Sequence, residues 1–435
     1  MRFPRSVVCV LLTAALAACS SSERLEGRRT SVLAYGRKPV PDSELRKTVR
    51  LPKPEPAAEW TQAGGLSHHA MQNVALPEKI MQAWKTSVGK GASSGKWLIA
   101  EPVVRSGMIY TVDAVGKVRA SAATSGRMIW EKNVTADKAS KRLSIVGAGL
   151  ALDNNMLFAA LGTGEIVALD AYNGHEIWRS DLKSPVRSAP AVYGGRLYVL
   201  TADNKLTAVA EDDGRVLWRH YAFMAPVSLM GRAAPALDKG IGVAVFASGE
   251  VVAFRPENGS ILWTETFGAT RLNNASSSIN DIRARPVIDN DRVYIISAAG
   301  LLSALDLKSG AVLWEREIGG INQPWIAGDM LYVVSSSSEL IALNASDGKI
   351  MWVNQLSEWD DPEKKKDRLY WTGPVLAGDR LILSNSAGKV IVASPLTGTV
   401  VGWDDMGGGA AVMPAVVVDD TMFLFNQDAD LAAYR

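Results

Sequence analysis

An all-β fold is what the 435-residue sequence predicts: an eight-bladed β-propeller of four-stranded antiparallel blades, with the N- and C-terminal strands sharing the closing blade. Three observations carry this. A strand-turn-strand unit ending in tryptophan repeats along the chain, a second strand pair precedes most copies, and each terminus supplies what the other lacks. One unit runs Gly164-Glu165-Ile166-Val167-Ala168-Leu169-Asp170, then Ala171-Tyr172-Asn173-Gly174, then His175-Glu176-Ile177-Trp178. It recurs from Gly300 to Trp314 and more loosely from Gly116 to Trp130, Asn204 to Trp218, Gly249 to Trp263, Ser338 to Trp352 and Gly388 to Trp403. Alternation puts Ile166 and Ala168 on one face of a strand. The glycine four residues before tryptophan (five in the last copy, Gly398 to Trp403) supplies the positive φ of a tight turn.

The preceding strand pair is clearest at Ala189-Pro190-Ala191-Val192-Tyr193, the turn Gly194-Gly195, and Arg196-Leu197-Tyr198-Val199-Leu200. Similar pairs begin at Pro102, Pro235, Pro286, Pro324, Pro374 and Pro414. At the ends, Trp84 looks like a final strand without its predecessor, and Asp430 to Arg435 like a third strand without its successor. Pairing them gives eight anchors, Trp84, Trp130, Trp178, Trp218, Trp263, Trp314, Trp352 and Trp403, spaced by roughly 46 residues. Each indole is expected to pack between blades with its N–H on a backbone acceptor.

Composition narrows the function classes. Forty-seven Lys and Arg against forty-five Asp and Glu leave a net charge of +2, too balanced for a phosphate-neutralising surface, so nucleic acid is not an expected partner. Both cysteines, Cys9 and Cys19, lie at the N-terminus, so the body has no disulfide, cysteine zinc site or thiol nucleophile. His68, His69, His175 and His220 have no spaced partners and read as surface or structural residues. Asp170, Asp306 and Asp347 fall in turns, where hydrogen bonding to the turn backbone accounts for them. No metal or acid/base set converges, so neither catalysis nor a cofactor is expected.

Residues 1–18 read as a signal peptide, with Arg2 and Arg5 ahead of an apolar run too short to span a bilayer. Leu16-Ala17-Ala18-Cys19 resembles the bacterial lipobox, which implies diacylglycerol and N-acyl lipid on Cys19. Ser20 after the cysteine implies the periplasmic face of the outer membrane. Residues 19–76 are expected to be a flexible tether: there is no hydrophobic period, prolines cluster, and Ser20 to Trp60 carries +3. The propeller is expected over residues 77–435.

The pattern Gly-x-Leu-x-Ala-Leu-Asp-x-x-x-Gly-x-x-x-Trp, best kept from Gly300 to Trp314, resembles the repeat of pyrroloquinoline-quinone dehydrogenases and of the outer-membrane assembly lipoprotein family BamB. Two segments favour the second. Val227-Ser228-Leu229-Met230-Gly231-Arg232 resembles the family's Leu-x-Leu-Arg-Gly loop, and Asp281-Ile282-Arg283 its Asp-x-Asp segment. The resemblance implies that these loops contact the periplasmic domains of the barrel-assembly protein BamA. It makes Val227 and Leu229 apolar anchors and Asp281 an acidic contact. Met230 replaces the family's arginine and Arg283 its second aspartate, with Arg232 as compensation, so the partner's surface should differ correspondingly.

The function implied is a non-enzymatic scaffold of the outer-membrane β-barrel assembly machinery that also assists unfolded outer-membrane proteins. Two other classes stay open. A quinone-dependent dehydrogenase would share the repeat. A polysaccharide- or peptidoglycan-binding propeller would use exposed aromatics outside the eight-Trp register, for which Trp325, Trp359 and Trp371 are candidates; the charged run from Glu358 to Lys366 reads as a solvated loop.

Overall fold

Blade 1 shows how the repeat becomes a sheet. Its strands, Val103–Arg105, Met108–Val112, Lys117–Ala122 and Met128–Asn133, pair antiparallel in that order. The inner strands are mostly buried, whereas the outer strand buries Trp130 alone. The computed structural model describes residues 39–42, 50–94, 96–135, 147–224, 233–267, 282–405, 409–411 and 413–435, with backbone only at 403–405. Pro39–Arg435 is one unit. Among the described residues there is no helix, and seven further four-stranded sheets repeat the inner-to-outer order, so the all-β, eight-bladed expectation holds.

The innermost strands of blades 2 to 8 are Gly147–Asp153, Ala191–Val192, Ala236–Asp238, Val287–Asp289, Trp325–Ala327, Trp371–Ala377 and Val416–Val418. Blade 8 closes the ring as the ends of the sequence require. Gln82–Ser87 pairs with Asp430–Tyr434, and Met81 and Arg435 exchange backbone hydrogen bonds of 2.7 and 3.0 Å.

The tryptophans dock each blade onto the next. Indole N–H groups donate to backbone carbonyls from Trp84 to Ala123, Trp130 to Ala171, Trp178 to Glu211, Trp218 to Pro256, Trp263 to Leu307, Trp314 to Ala345 and Trp352 to Pro395, at 2.8–3.2 Å. In blades 1, 3, 5 and 6 a tyrosine hydroxyl (Tyr110, Tyr198, Tyr294, Tyr332) donates to the same carbonyl as that blade's indole. Burial pushes the Tyr294 hydroxyl up to about 12, which keeps it a donor. Directly across the sheet from Trp130, Trp178, Trp218, Trp263, Trp314 and Trp352 stands an alanine, followed by a bulge. The small residue leaves room for the indole and the bulge re-aims the strand.

The turn glycines carry a second constraint besides φ. A Cβ on Gly174, whose φ is +74°, would lie 2.6 Å from the Trp130 ring, and the same glycine-indole approach recurs at Gly126, Gly214, Gly259, Gly310, Gly348 and Gly398. Gly194 has a φ of +60° but open space around it. Gly194→Ala should therefore cost only the left-handed backbone term, about 1–2 kcal/mol. Gly174→Ala should cost that plus the displacement of Trp130, at least about 3 kcal/mol in all, the loss of a core aromatic being worth about 3–5. Denaturant titration of both variants would check this; equal costs would contradict the docking role.

Trp403 departs from the expected set. In blade 7 the bulge places Gly402 opposite Val392, in the register position the other tryptophans occupy, and Trp403 pairs one residue further on with Ile391. The reason lies in the next blade. Blade 8 is built from the two chain ends, so it has no turn between its third and fourth strands and no glycine platform for an eighth indole. The Trp403 side chain is outside the described residues.

The tether expectation also needs correction between Arg50 and Leu76. This segment runs round the channel as a strap that hydrogen-bonds, blade after blade, to the innermost strand or the residue just beyond it. Ala57 O accepts from Asp419 (blade 8), Trp60 and Val104 exchange both backbone bonds (blade 1), and Thr61 O accepts from Leu152 (blade 2). The Gln62 amide grips Val192 N and O (blade 3), while Ser67 O and His68 O accept from Leu237 and Ile288 (blades 4 and 5). Gln72 bonds Gly328 and the Trp325 indole (blade 6), and Val74 bonds Leu376 and Gly378 (blade 7). Innermost strands otherwise present unpaired N–H and C=O groups to the channel, and the strap satisfies them. Trp60 is 1% exposed and stacks on Trp325 with ring centroids 6.4 Å apart.

Candidate functional site

The propeller has two unlike faces. On one lie the turns between first and second strands, such as Gly194-Gly195 and Asp379, together with the strap. On the other lie the connections from the outer strand of one blade to the inner strand of the next. Both loops singled out in the sequence fall in connections of this kind. One joins Val216–Tyr221 to Ala236–Asp238 and the other joins Ile261–Thr266 to Val287–Asp289, so they spring from adjacent blades. Val227, Leu229, Met230, Arg232 and Asp281 themselves lie outside the described residues. Arg283 is described, half-buried, in the wall of a cavity at the channel mouth.

The approach to the first loop is apolar and firmly held. Tyr221, Phe223 and Met224 are 63%, 76% and 88% exposed. Phe223 nevertheless has both backbone groups fixed: its N–H donates to the buried Glu250 carboxylate at 2.6 Å, and its carbonyl accepts from Asn204 Nδ2 at 2.6 Å. Exposed large side chains on an anchored backbone form a preorganised contact surface. Nothing in the Trp repeat signalled this; the apolar Phe223-Met224 pair beyond the strand end was the available clue. Nearby, Arg187, Ser188, Asn204, Ala233 and Ile282 line a small cavity.

At the centre of the channel the strap meets a buried polar knot. Glu101 precedes the inner strand of blade 1 and Arg285 that of blade 5, which stands opposite in a ring of eight. Their side chains, 1% and 5% exposed, form a 2.9 Å ion pair. The other Glu101 oxygen accepts from Gly64 N–H at 3.1 Å, Arg285 Nε donates to Gln323 Oε1 at 2.6 Å, and Gln323 Nε2 donates to His69 O at 3.0 Å. These bonds tie the strap to the residues that precede the inner strands of blades 1, 5 and 6.

The histidines take structural places. His69 is buried, and its ring Nδ1 lies 2.8 Å from Pro286 O, so Nδ1–H is the donor. Burial first, then the Arg285 guanidinium, lower its pKa from 6.5 to about 3. The folded protein holds it neutral while the unfolded chain takes up a proton below about pH 6.5. Stability is therefore full above that pH and falls as pH drops towards 3, by about 2 kcal/mol at pH 5 for this group. Asn suits the positive φ of 63° at this position and keeps a donor for Pro286. Unfolding of His69→Asn at pH 7 and pH 5 should lack this increment; an undiminished pH slope would refute the assignment. Burial also lowers His68 and His220.

Two of the extra-register aromatics are corrected by the structure. Trp325 and Trp371 are 3% and 8% exposed, with indole N–H groups on Gln72 O and Ser357 O, so they are core residues and not an exposed sugar platform. Trp359 is partly exposed and begins a hairpin, Trp359–Asp361 with Lys366–Arg368, where a solvated loop was expected. Asp360 anchors this hairpin to Lys389 at 3.1 Å. Among the described residues, no group of three or more His, Cys, Asp or Glu side chains is placed to hold a metal ion.

Fold and site together define a tryptophan-docked propeller of the PQQ-like repeat class, with a strapped channel and a loop face on adjacent blades. The profile described as outer membrane protein assembly factor BamB matches residues 114–354, more than half of the chain, and the chain belongs to that family. It is 29% identical over 259 residues to the BamB of Yersinia pestis, covering 58% of this chain and 64% of that protein. It is 26% identical over 383 residues to the BamB of Shewanella oneidensis, covering 87% and 92%. The chain thus spans less than two thirds of the Yersinia protein and nearly all of the Shewanella one. Among solved structures, BamB from Moraxella catarrhalis superposes with a TM-score of 0.69 at 17% identity, over 82% of this chain and all of that one. Quinohemoprotein alcohol dehydrogenase from Comamonas testosteroni gives 0.68 at 12% identity, over 86% and 80%. At these identities both structures speak to the fold alone.

Proposed function

We propose that this protein is a non-enzymatic scaffold lipoprotein of the outer-membrane β-barrel assembly machinery. Lipid on Cys19 holds it at the periplasmic face of the outer membrane. The loops containing Val227, Leu229, Met230, Arg232, Asp281 and Arg283 dock the periplasmic domains of the BamA-type protein, and the complex assists the insertion of outer-membrane proteins. The reading requires no cofactor.

What supports it is that the two family-like loops connect consecutive blades and that the described stretch leading into the first presents the exposed Phe223 and Met224. Apolar anchors next to charged side chains are the composition of a docking patch. Leu229→Asp with Asp281→Arg should abolish co-purification of the barrel-assembly protein while the purified variant melts like the parent. Undiminished recovery would count against this surface. Cys19→Ala should release the protein from membranes into the soluble periplasmic fraction, and retention at the membrane would count against the lipid anchor.

A further inference from the structure

The connection into blade 6, the turn between that blade's second and third strands and the connection on to blade 7 meet at a groove of about 200 Å3. The connection to blade 7 contains the hairpin of Trp359 and Arg368, the single two-stranded sheet among the described residues. Its returning end builds one wall of the groove with Arg368, Leu369 and Tyr370. Tyr370 is 60% exposed, yet its backbone N–H donates to Ser386 Oγ and its carbonyl accepts from Ser386 N–H, both at 3.0 Å. The neighbouring Trp371 is buried, so Tyr370 is the ring held out to solvent, on a backbone that a ligand need not order.

The groups already engaged argue against two ligand classes. The N–H groups of Ser336, Ser337 and Ser338 are taken by Gly319 O, Ser335 Oγ and Ser335 O at 2.8, 3.2 and 3.0 Å, so the serine turn is no cradle for a phosphate. Leu369 N–H donates to Glu358 O at 2.9 Å and both backbone groups of Tyr370 are engaged, so this wall is not an open edge for an added strand. What the groove offers is side chains. The hydroxyls of Ser336, Ser338 and Tyr370 have no partner among the described residues. Asn322, whose Nδ2 donates to Trp371 O at 2.9 Å, keeps Oδ1 as an acceptor. The Arg368 guanidinium makes one bond, 3.4 Å to Ser336 O, and has donors to spare.

Three hydroxyls, a guanidinium and an aromatic face match a sugar ring, which presents hydroxyls at its edge and C–H groups on its faces. The amide acceptor beside apolar Ile321 and Val334 matches one substituent in particular, an acetamido group, whose N–H needs an acceptor and whose methyl needs an apolar wall. We propose that this groove binds an N-acetylated amino sugar, with its ring on Tyr370, its acetamido N–H on Asn322 Oδ1 and its methyl against Ile321 and Val334. At about 200 Å3 the groove is smaller than the roughly 300–1,000 Å3 of sites that enclose a whole ligand, so it takes one ring and leaves adjoining sugars of a chain in solvent. The proposal rests on the groove alone and stands apart from the assembly reading.

The test is a saturation-transfer NMR titration of the full-length protein with chitotriose, N-acetylglucosamine and cellotriose, the last having the same linkage with a hydroxyl in place of each acetamido group. Chitotriose is expected to bind saturably, with its acetyl methyl protons the most strongly saturated, and about tenfold or more tighter than cellotriose. Tyr370→Ala, a change at an exposed side chain, should weaken binding about tenfold or more while the protein melts like the parent. Tyr172→Ala, at a 55% exposed tyrosine in the turn between the third and fourth strands of blade 2, should leave it unchanged. Chitotriose binding about tenfold tighter than N-acetylglucosamine assigns a glycan chain, and equal affinities a single sugar. The proposal is overturned by no saturable binding of either N-acetylated sugar up to about 20 mM, by equal binding of cellotriose, or by parental affinity in a folded Tyr370→Ala protein.

Discussion

Removal of the last ten residues, Asn426 to Arg435, is expected to abolish the closed ring. Asp430–Tyr434 is the strand between Gln82–Ser87 and Thr421–Phe425, so its loss leaves the N-terminal strand without a partner. It also removes Gln427, whose side chain holds Leu98 by both backbone groups, and Leu431, Ala432 and Ala433 from the core. Two sheet edges would then face solvent in an otherwise intact chain, which is the condition for association through edges. The deletion exceeds the few kcal/mol of a single core substitution and is comparable with a whole domain's stability of about 5–15 kcal/mol. The truncated chain should elute as aggregate or lose its cooperative melt. A soluble monomer melting within a few degrees of the full-length protein would show that the ring closes by other means.

The repeat was legible because its constraints are local and recur. Trp130, Gly126 and Ala120 each answer to a contact inside one blade or with its neighbour, and six further blades impose nearly the same contacts. The ends were legible for the same reason, since half a blade at each terminus has one complement. At Trp403 residue identity does not give the register: a turn longer by one residue puts Gly402 in the paired position that the other tryptophans occupy, and only pairing reveals that. The strap was invisible to a search for periodicity. It touches eight different strands in succession, so its contacts repeat at no fixed interval, and Gln62, Gln72 and Val74 each solve a different edge. Its signals were single residues, a tryptophan and paired glycines amid proline, each compatible with a tether.

The same difference explains the candidate site. Trp325 and Trp371 lay outside the repeat register and so looked available, but their partners, Gln72 and Ser357, are in irregular segments whose path no local pattern encodes. The two loops were recognisable as a pair only by resemblance. That they join consecutive blades follows from the strand order. Glu101 and Arg285, 184 positions apart, became a pair through the ring's symmetry: the residue before the inner-strand proline occupies equivalent places in opposite blades.

That pair gives the second large effect. Arg285→Met should destabilise the protein by about 3–5 kcal/mol, because it leaves the Glu101 carboxylate buried and unmatched while removing the donor on Gln323. Replacing both members, Glu101→Gln with Arg285→Met, removes the uncompensated charge and should recover a substantial part of the loss. The deficit also has a characteristic pH dependence. It runs through His69: Arg285 is one cause of that histidine's lowered value, so without the guanidinium the folded variant takes up the His69 proton more readily and loses less stability as pH falls. The gap between variant and parent, measured by denaturant unfolding, should therefore be narrower at pH 5 than at pH 8. A gap below about 1 kcal/mol at pH 8 would mean that water reaches Glu101 and that the strap does not seal the channel.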